Sequence, residues 1–187
     1  MPRAASAICL VLPALVGTAP AARADEVTIC YNYGCYARAQ VSYSERQLDT
    51  LHQRLAAAPD AAAERDAISA VIGRMYAIAG EQTPVWRDKG EDYADGGVNG
   101  QMDCVDHATT TDAFLRLLQT HGWLRFHEVL RPRKRMRLIF EEHWAASIRD
   151  RESQQVFVVD SWYFDNGHPA AVFTLKQWLS GKRPDGA

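Results

Sequence analysis

Residues 143–160 read HWAASIRDRESQQVFVVD. The two ends of this stretch are short and largely apolar, as is typical of β-strands, and the polar residues 150–155 between them are typical of a turn. We therefore predict two antiparallel strands, over 143–149 and 156–160. Their pairing decides which side chains of this stretch share one face of a sheet.

The length of the turn sets that pairing. In an antiparallel pair of strands, the residue numbers of any two opposed residues add up to the same value. If that value is odd, His143 and Asp160 lie on the same face of the sheet. A four-residue turn at 151–154 puts Asp160 opposite Ala145 and diagonal to His143, whereas a two-residue turn at 151–152 puts His143 directly opposite. Either register brings the imidazole and the carboxylate within reach of a hydrogen bond.

Helical periodicity dominates the chain before these strands. Ser44 and Gln47 form a capping box, and Gly80 is the predicted end of the second helix. Helices followed by antiparallel strands indicate an α+β domain with N-terminal helices packed on an antiparallel sheet. We predict helices over 44–58, 61–79, from 103 or 104 to 121 and over 174–179, with further strands over 123–130 and 171–173.

The N-terminus has the pattern of a secretory signal peptide. Arg3 precedes an apolar run of about nine residues from Ile8 to Val16, and Ala22-Arg23-Ala24 matches an A-x-A cleavage site. We predict a signal peptide over 1–24, a single domain over 25–187, and a periplasmic or secreted protein. No later segment has the roughly 18 consecutive apolar residues of a membrane helix, so we expect no stable membrane insertion.

The composition excludes several classes of protein. The chain has 187 residues, with 21 basic and 23 acidic side chains and 47% hydrophobic residues, which excludes a disordered or fibrous protein. This balance of charge is too even for nonspecific binding to nucleic acid. A basic run over 131–137 is predicted to be a solvated connection between strands. The expected partner is a peptide or protein substrate, with no nucleic acid and no cofactor.

Three cysteines follow the predicted cleavage site. Cys30 and Cys35 flank the turn-forming Tyr-Asn-Tyr-Gly, so we predict a small structural disulfide between them. Cys104 is left unpaired in an oxidising compartment. An unpaired thiol there is either buried and inert or used chemically.

The position of Cys104 favours chemistry. Asp103 is the predicted N-cap of the third helix, so Cys104 lies in the first turn, where the helix dipole and free N–H groups favour a thiolate. A nucleophilic cysteine needs a base and a group that orients it. His143 and Asp160 can supply both if their strands pack beside the start of the helix. We therefore predict a catalytic Cys104–His143–Asp160 triad.

Other candidate residues come from the long polar segment 81–102 and from the strand of His143. Gln101 is a candidate oxyanion donor because it lies just before the nucleophile. Trp86, Tyr93 and Trp144 are candidate walls of a substrate pocket. The same segment contains acidic residues that could bind calcium but are more typical of a solvated loop, namely Asp88, Glu91, Asp92 and Asp95. We predict no resident metal ion.

Three short motifs resemble the transglutaminase-like superfamily of thiol enzymes, particularly the bacterial transglutaminase-like cysteine proteinases. These motifs are Met102-Asp103-Cys104-Val105-Asp106-His107-Ala108, His143-Trp144-Ala145 and Val158-Val159-Asp160. The resemblance covers about residues 80–168. It implies a papain-like α+β core and acyl transfer to the cysteine. The sequence departs from the family at Met102, where a glycine is frequent, and at Trp144, which separates the usual His-Ala pair.

These observations predict an exported cysteine peptidase or amidase. One alternative is a papain-like hydrolase of peptidoglycan, although Val105-Asp106-His107 replace the small residues that usually follow the cysteine in that family. Another alternative is an exported binding protein that keeps the fold without turnover. The substrate, the choice between hydrolysis and transfer to an amine, any dependence on calcium and the oligomeric state stay open.

Overall fold

The computed structural model describes residues 1, 24–91, 97–137 and 141–186. Its described elements form an α+β fold with antiparallel sheets, as predicted. One sheet has two strands and the other has four, in the order β3-β4-β5-β6. The elements are β1 (Ala24–Tyr31), β2 (Ala37–Ser44), α1 (Glu45–Ala56), α2 (Ala61–Gln82), a 3₁₀ turn (Pro84–Arg87), α3 (Cys104–Thr120), β3 (His127–Arg137), β4 (Glu141–Asp150), β5 (Val156–Asp160), β6 (Ala171–Thr174) and α4 (Leu175–Leu179).

The hairpin of β1 and β2 is the part of the fold that the sequence analysis misses. Its alternation of buried and exposed residues involves only a few apolar side chains in each strand, such as Val27 and Ile29 in β1 and Val41 and Tyr43 in β2. So short a pattern is hard to distinguish from a loop. The hairpin packs against α3, which makes it part of the surroundings of Cys104.

The helices begin and end close to the predicted residues, with one exception. Ser44 and Gln47 form the expected capping box of α1, and Asp103 caps α3. The predicted stop at Gly80 is wrong, because α2 continues to Gln82. A side chain at Gly80 would collide with Asn166 and Trp86, so this glycine serves close packing rather than helix termination. Within the described residues, no helix is both long and apolar enough to cross a membrane.

Strand β3 differs most from its prediction. It begins at His127 rather than at 123, and it includes the whole basic run 131–137, which was expected to be a solvated connection. An irregularity in the pairing with β4 lies between Leu130 and Arg133. The basic side chains fit a strand because most of them point to solvent while the backbone pairs with β4.

The four-stranded sheet is buried on both faces. One face, which includes Ala146 and Val159, joins the main core with α1, α2 and α3. The other face, which includes Ala145 and Val158, packs in a second cluster of buried residues. The cluster comprises Ala145, Val158, Trp162, Tyr163, Ala171, Phe173 and Trp178, and Cys104 packs against it. The start of α3 therefore meets the sheet on this second face.

Candidate active site

The turn between β4 and β5 sets the register that brings His143 and Asp160 together. Ala146 pairs with Val159 and Ser147 with Val158, which is the register of the four-residue turn. Asp160 is therefore diagonal to His143 on the same face, as predicted for that turn. His143 Nε2 lies 2.7 Å from Asp160 Oδ2, and both side chains are buried.

Cys104 is the first residue of α3 and lies beside His143. Asp103 forms a capping box with Asp106, and its Oδ1 accepts hydrogen bonds from the N–H groups of Val105 and Asp106. The thiol of Cys104 is free, half-buried and within hydrogen-bonding reach of His143. Because Nε2 of His143 is engaged by Asp160, Nδ1 is the ring nitrogen left to face the sulfur.

The environment of His143 favours the protonated ring. Burial lowers the pKa of His143, but the hydrogen bonds to Asp160 and Cys104 outweigh burial and raise the pKa to about 9. At neutral pH the imidazole is therefore an imidazolium between a carboxylate and a sulfur. This charge distribution is the one that stabilises a thiolate nucleophile.

Two residues that the sequence analysis did not single out support Asp160. The indole Nε1–H of Trp178 donates to Asp160 Oδ2 over 2.9 Å, so this oxygen accepts two hydrogen bonds. The ring of Trp178 also packs near His143, with 5.7 Å between ring centroids. Arg135 donates to the carbonyl of Trp178 and lies over its ring. Trp178 is distant in sequence and has no motif around it, so only the fold reveals this contact.

The disulfide loop is bound to the start of α3. Cys30 and Cys35 form the predicted disulfide, with a Cα–Cα distance of 4.6 Å. Asp106 accepts backbone hydrogen bonds from Tyr33 and Cys35, and Asp103 accepts one from Gly34. Positive φ angles through this loop turn successive N–H groups towards the carboxylates.

Asp106 is thus a buried carboxylate at the start of a helix. Burial raises its pKa to about 6, although the backbone N–H groups of the disulfide loop oppose that rise. Near neutral pH the group is mostly ionised and holds the loop beside Cys104. The loop places Tyr33 at the edge of the candidate site.

A small cleft opens over the sulfur. Its volume is about 160 Å³. Cys104 and His143 both lie in the wall of this cleft. The full lining is Tyr33, Asp103, Cys104, Arg135, Glu141, Glu142, His143 and Trp162.

The structure does not bring Gln101 into this cleft. Its side-chain amide donates to the carbonyl of Arg87 and accepts from the N–H of Lys89, so it is engaged with the preceding loop. Gln101 is buried, and its position gives no support to the predicted oxyanion role. Although Gln101 is close to Cys104 in sequence, its hydrogen bonds to the loop hold its side chain away from the cleft.

Neither of the two candidate pocket residues that the structure describes, Trp86 and Trp144, lines the cleft. Trp144 lies outside the cleft, in an adjacent groove that shares Glu142 with it, and the Trp144 indole donates to Glu142. Trp86 is 59% exposed on the 3₁₀ turn and does not line the cleft. Tyr93 lies outside the described residues, so its predicted role stays a prediction.

The acidic loop is not simply solvated. Asp88 is buried, and its Oδ1 accepts the N–H of Met102. Glu91 forms an ion pair with Arg183. Asp92 and Asp95 lie outside the described residues. The expectation of a solvated loop is therefore wrong for Asp88, which positions the segment just before Cys104.

A second buried histidine lies one turn after Cys104. His107 Nδ1 is 2.9 Å from Ser161 Oγ, and its Nε2 is 3.0 Å from Asp88 Oδ2, although this second contact lacks hydrogen-bond geometry. The Ser161 hydroxyl also contacts Tyr76 and Thr111. Because the whole network is buried, it connects α2, α3 and the segment after β5 without access to a substrate.

Comparison of the chain with family models, with curated proteins and with solved structures finds no match.

Proposed function

We propose that this protein is a thiol hydrolase that cleaves a peptide or amide bond through an acyl-enzyme. The observation that carries the proposal is the continuous contact from Cys104 to His143 to the buried Asp160, with Cys104 and His143 in the wall of a cleft. A free cysteine at a helix start, a buried imidazole and a buried carboxylate are the groups that such a reaction needs. The resemblance of the three motifs to transglutaminase-like cysteine proteinases implies the same chemistry.

The proposed reaction has two half-reactions. The thiolate of Cys104 attacks the carbonyl carbon, and the His143 imidazolium gives its proton to the leaving amine as the C–N bond breaks. His143 then takes a proton from water, whose oxygen attacks the thioester; the C–S bond breaks and releases the carboxylic acid, leaving the Cys104 thiolate beside the His143 imidazolium. Asp160 holds the imidazole in place through Nε2 and stabilises its charge.

The oxyanion of each tetrahedral intermediate needs hydrogen-bond donors. The backbone N–H of Cys104 is in the first turn of α3, where N–H groups have no intrahelical acceptor. It also has no hydrogen-bond partner within the part of the chain that the structure describes. We propose this N–H as an oxyanion donor in place of Gln101.

The proposed setting is outside the cytoplasm. The Cys30–Cys35 disulfide supports an oxidising compartment. The predicted signal peptide, most of which lies outside the described residues, points to the same compartment. A peptide or protein in the periplasm or the medium is therefore the proposed substrate.

The proposal is tested by substrate profiling. The purified protein is incubated with a peptide mixture and with peptidoglycan fragments, and products are identified by mass spectrometry alongside the Cys104→Ala variant. We expect cleavage by the wild type only, with a thioester-linked mass on the Cys104 peptide after acid quench. Equal products from both proteins, or no product from either substrate set, would contradict the proposed activity and favour a binding protein.

A further inference from the structure

The cleft beside Cys104 contains a buried cation. Arg135 is directly opposite His143 in the pairing of β3 with β4 and is only 7% exposed. It lines the same cleft as the sulfur. Among the described residues it forms no ion pair with a carboxylate. Burial of a guanidinium without an anionic partner is costly, so its place beside a reactive site calls for an explanation.

The guanidinium is held rigidly but has hydrogen-bonding capacity left. One terminal nitrogen donates to the carbonyl of Trp178, and the other donates to the Tyr163 hydroxyl over 3.1 Å. Its Nε is buried and has no acceptor among the described residues. A guanidinium carries five N–H donors in one plane. Because Nε is closed to solvent, the donors that remain for a ligand are the second N–H of each terminal nitrogen.

Two of the carboxylates that line the cleft have partners of their own. Asp103 caps α3, and Glu142 forms an ion pair with Lys134 while it accepts from the Trp144 indole. Glu141 is opposite Arg137 in the pairing of β3 with β4. Among the described residues, none of the three forms an ion pair with Arg135.

We propose that Arg135 determines specificity by binding a carboxylate of the substrate next to the bond that is cleaved. The inference rests on the proposed thiol hydrolase function and adds the substrate class, a peptide or amide that carries a negative charge beside the scissile carbonyl. A fixed guanidinium suits this role because its parallel N–H donors match the two oxygens of a carboxylate. The charge belongs either to an acidic side chain or to a terminal carboxylate.

Two alkylating reagents of nearly equal size test the proposal without a known substrate. Iodoacetate carries a carboxylate and iodoacetamide carries a neutral amide, and both attack a thiolate. Their rates are measured on the peptide that contains Cys104, with N-acetylcysteine amide as the reference thiol. We expect the iodoacetate-to-iodoacetamide rate ratio to exceed that of the reference by about tenfold, because a charge-assisted hydrogen bond forms only with the carboxylate.

Variants assign the preference to Arg135. Arg135→Gln is expected to reduce the rate ratio to that of the reference thiol, and Arg135→Lys to retain part of it. Arg137→Gln removes an exposed arginine two residues along the same strand and should leave the ratio unchanged. A fall in both rates with an unchanged ratio would show that Arg135 only supports Trp178, and would overturn the proposal. If Arg135→Gln does not fold, a wild-type ratio equal to that of the reference thiol overturns the proposal, and a partial fall of the ratio in folded Arg135→Lys supports it.

Protection experiments distinguish the two sources of carboxylate. N-acetylglutamate α-amide and N-acetylglutamine differ only in which carbonyl carries the charge, and N-acetylglutamine amide is the neutral reference. If N-acetylglutamate α-amide slows iodoacetamide labelling more strongly, the substrate's charge belongs to an acidic side chain. If N-acetylglutamine slows it more strongly, the charge belongs to a terminal carboxylate. Protection by neither anion beyond that of the neutral reference would contradict the inference. Failure of iodoacetamide itself to label folded wild type would instead contradict the proposed function.

Discussion

His143 and Asp160 lie on adjacent antiparallel strands, diagonal to each other, with 2.7 Å between Nε2 and Oδ2. The four-residue turn after Asp150 establishes this relationship, because a shift of one residue would turn one side chain to the opposite face. The second ring nitrogen of His143 is then left for Cys104. A short polar turn thereby aligns the proposed base with the proposed nucleophile.

Loss of the Trp178 indole donor should weaken the site. Trp178→Phe keeps an aromatic ring but removes a hydrogen bond to the buried Asp160 carboxylate, so we expect a loss of about 1–2 kcal/mol in unfolding free energy. Iodoacetamide labelling of Cys104 should also slow, by about threefold to tenfold. Urea unfolding and labelling kinetics measure the two effects. The matched variant Trp86→Phe, at an exposed tryptophan, should change neither, and equal effects of the two substitutions would contradict the assigned role.

Protonation of His143 should stabilise the folded protein. Its folded pKa of about 9 lies above the ordinary value of 6.5, so its contribution is complete below pH 6.5 and is lost as the pH rises through 9. The unfolding free energy of wild type minus that of His143→Gln should therefore be larger at about pH 6 than at about pH 10. The exposed His52→Gln is the control. A difference that grows with pH would contradict the raised pKa.

The Asp106 carboxylate should anchor the disulfide loop. Asp106→Ala removes the carboxylate that accepts from the partly buried N–H groups of Tyr33 and Cys35, which should lower the unfolding free energy by about 2 kcal/mol. For a chain of this size the melting temperature should fall by about 5 °C or more. Asp112→Ala removes a carboxylate from the same helix whose ion-pair partner among the described residues is Arg116, and should cost about 0.5 kcal/mol or less. Similar melting temperatures for the two variants would refute the anchoring role.

The buried contact between Ser161 and His107 should be structural. Ser161→Ala removes the partner of His107 Nδ1, so we expect a loss of about 1–3 kcal/mol in unfolding free energy. The rate of iodoacetamide labelling of Cys104 should stay within about twofold, since His143 and Asp160 are unchanged. Calorimetry and labelling kinetics give the two values. A large loss of labelling in a folded variant would show that the second histidine participates in the chemistry.

Much of the site could be predicted because its signals are local. The N-cap at Asp103 placed Cys104 at a helix start, and the parity of the strand positions placed His143 and Asp160 on one face. The predicted helix end at Gly80 is wrong, and the predicted oxyanion role of Gln101 gains no support, because both positions are set by tertiary contacts. Gln101 turns to the backbone of the loop before it, and Gly80 packs inside α2 rather than ending it.

Other features could not be predicted because they join segments far apart in sequence. Trp178 reaches Asp160 only because β6 pairs with β5 and leads into α4. The disulfide loop reaches α3 only because the short hairpin of β1 and β2 packs there. Neither contact is marked by a residue spacing or a periodicity in the sequence.

The central claim is that Cys104 is an activated nucleophile rather than an inert thiol. Its most direct test is the rate of iodoacetamide labelling of the folded protein at about pH 7, compared with His143→Gln and with a free thiol reference. The account predicts that wild-type Cys104 reacts faster than the reference and that His143→Gln slows it by about 10²-fold or more. A wild-type cysteine that reacts only after unfolding, or a His143→Gln variant that labels as fast as wild type, would contradict it.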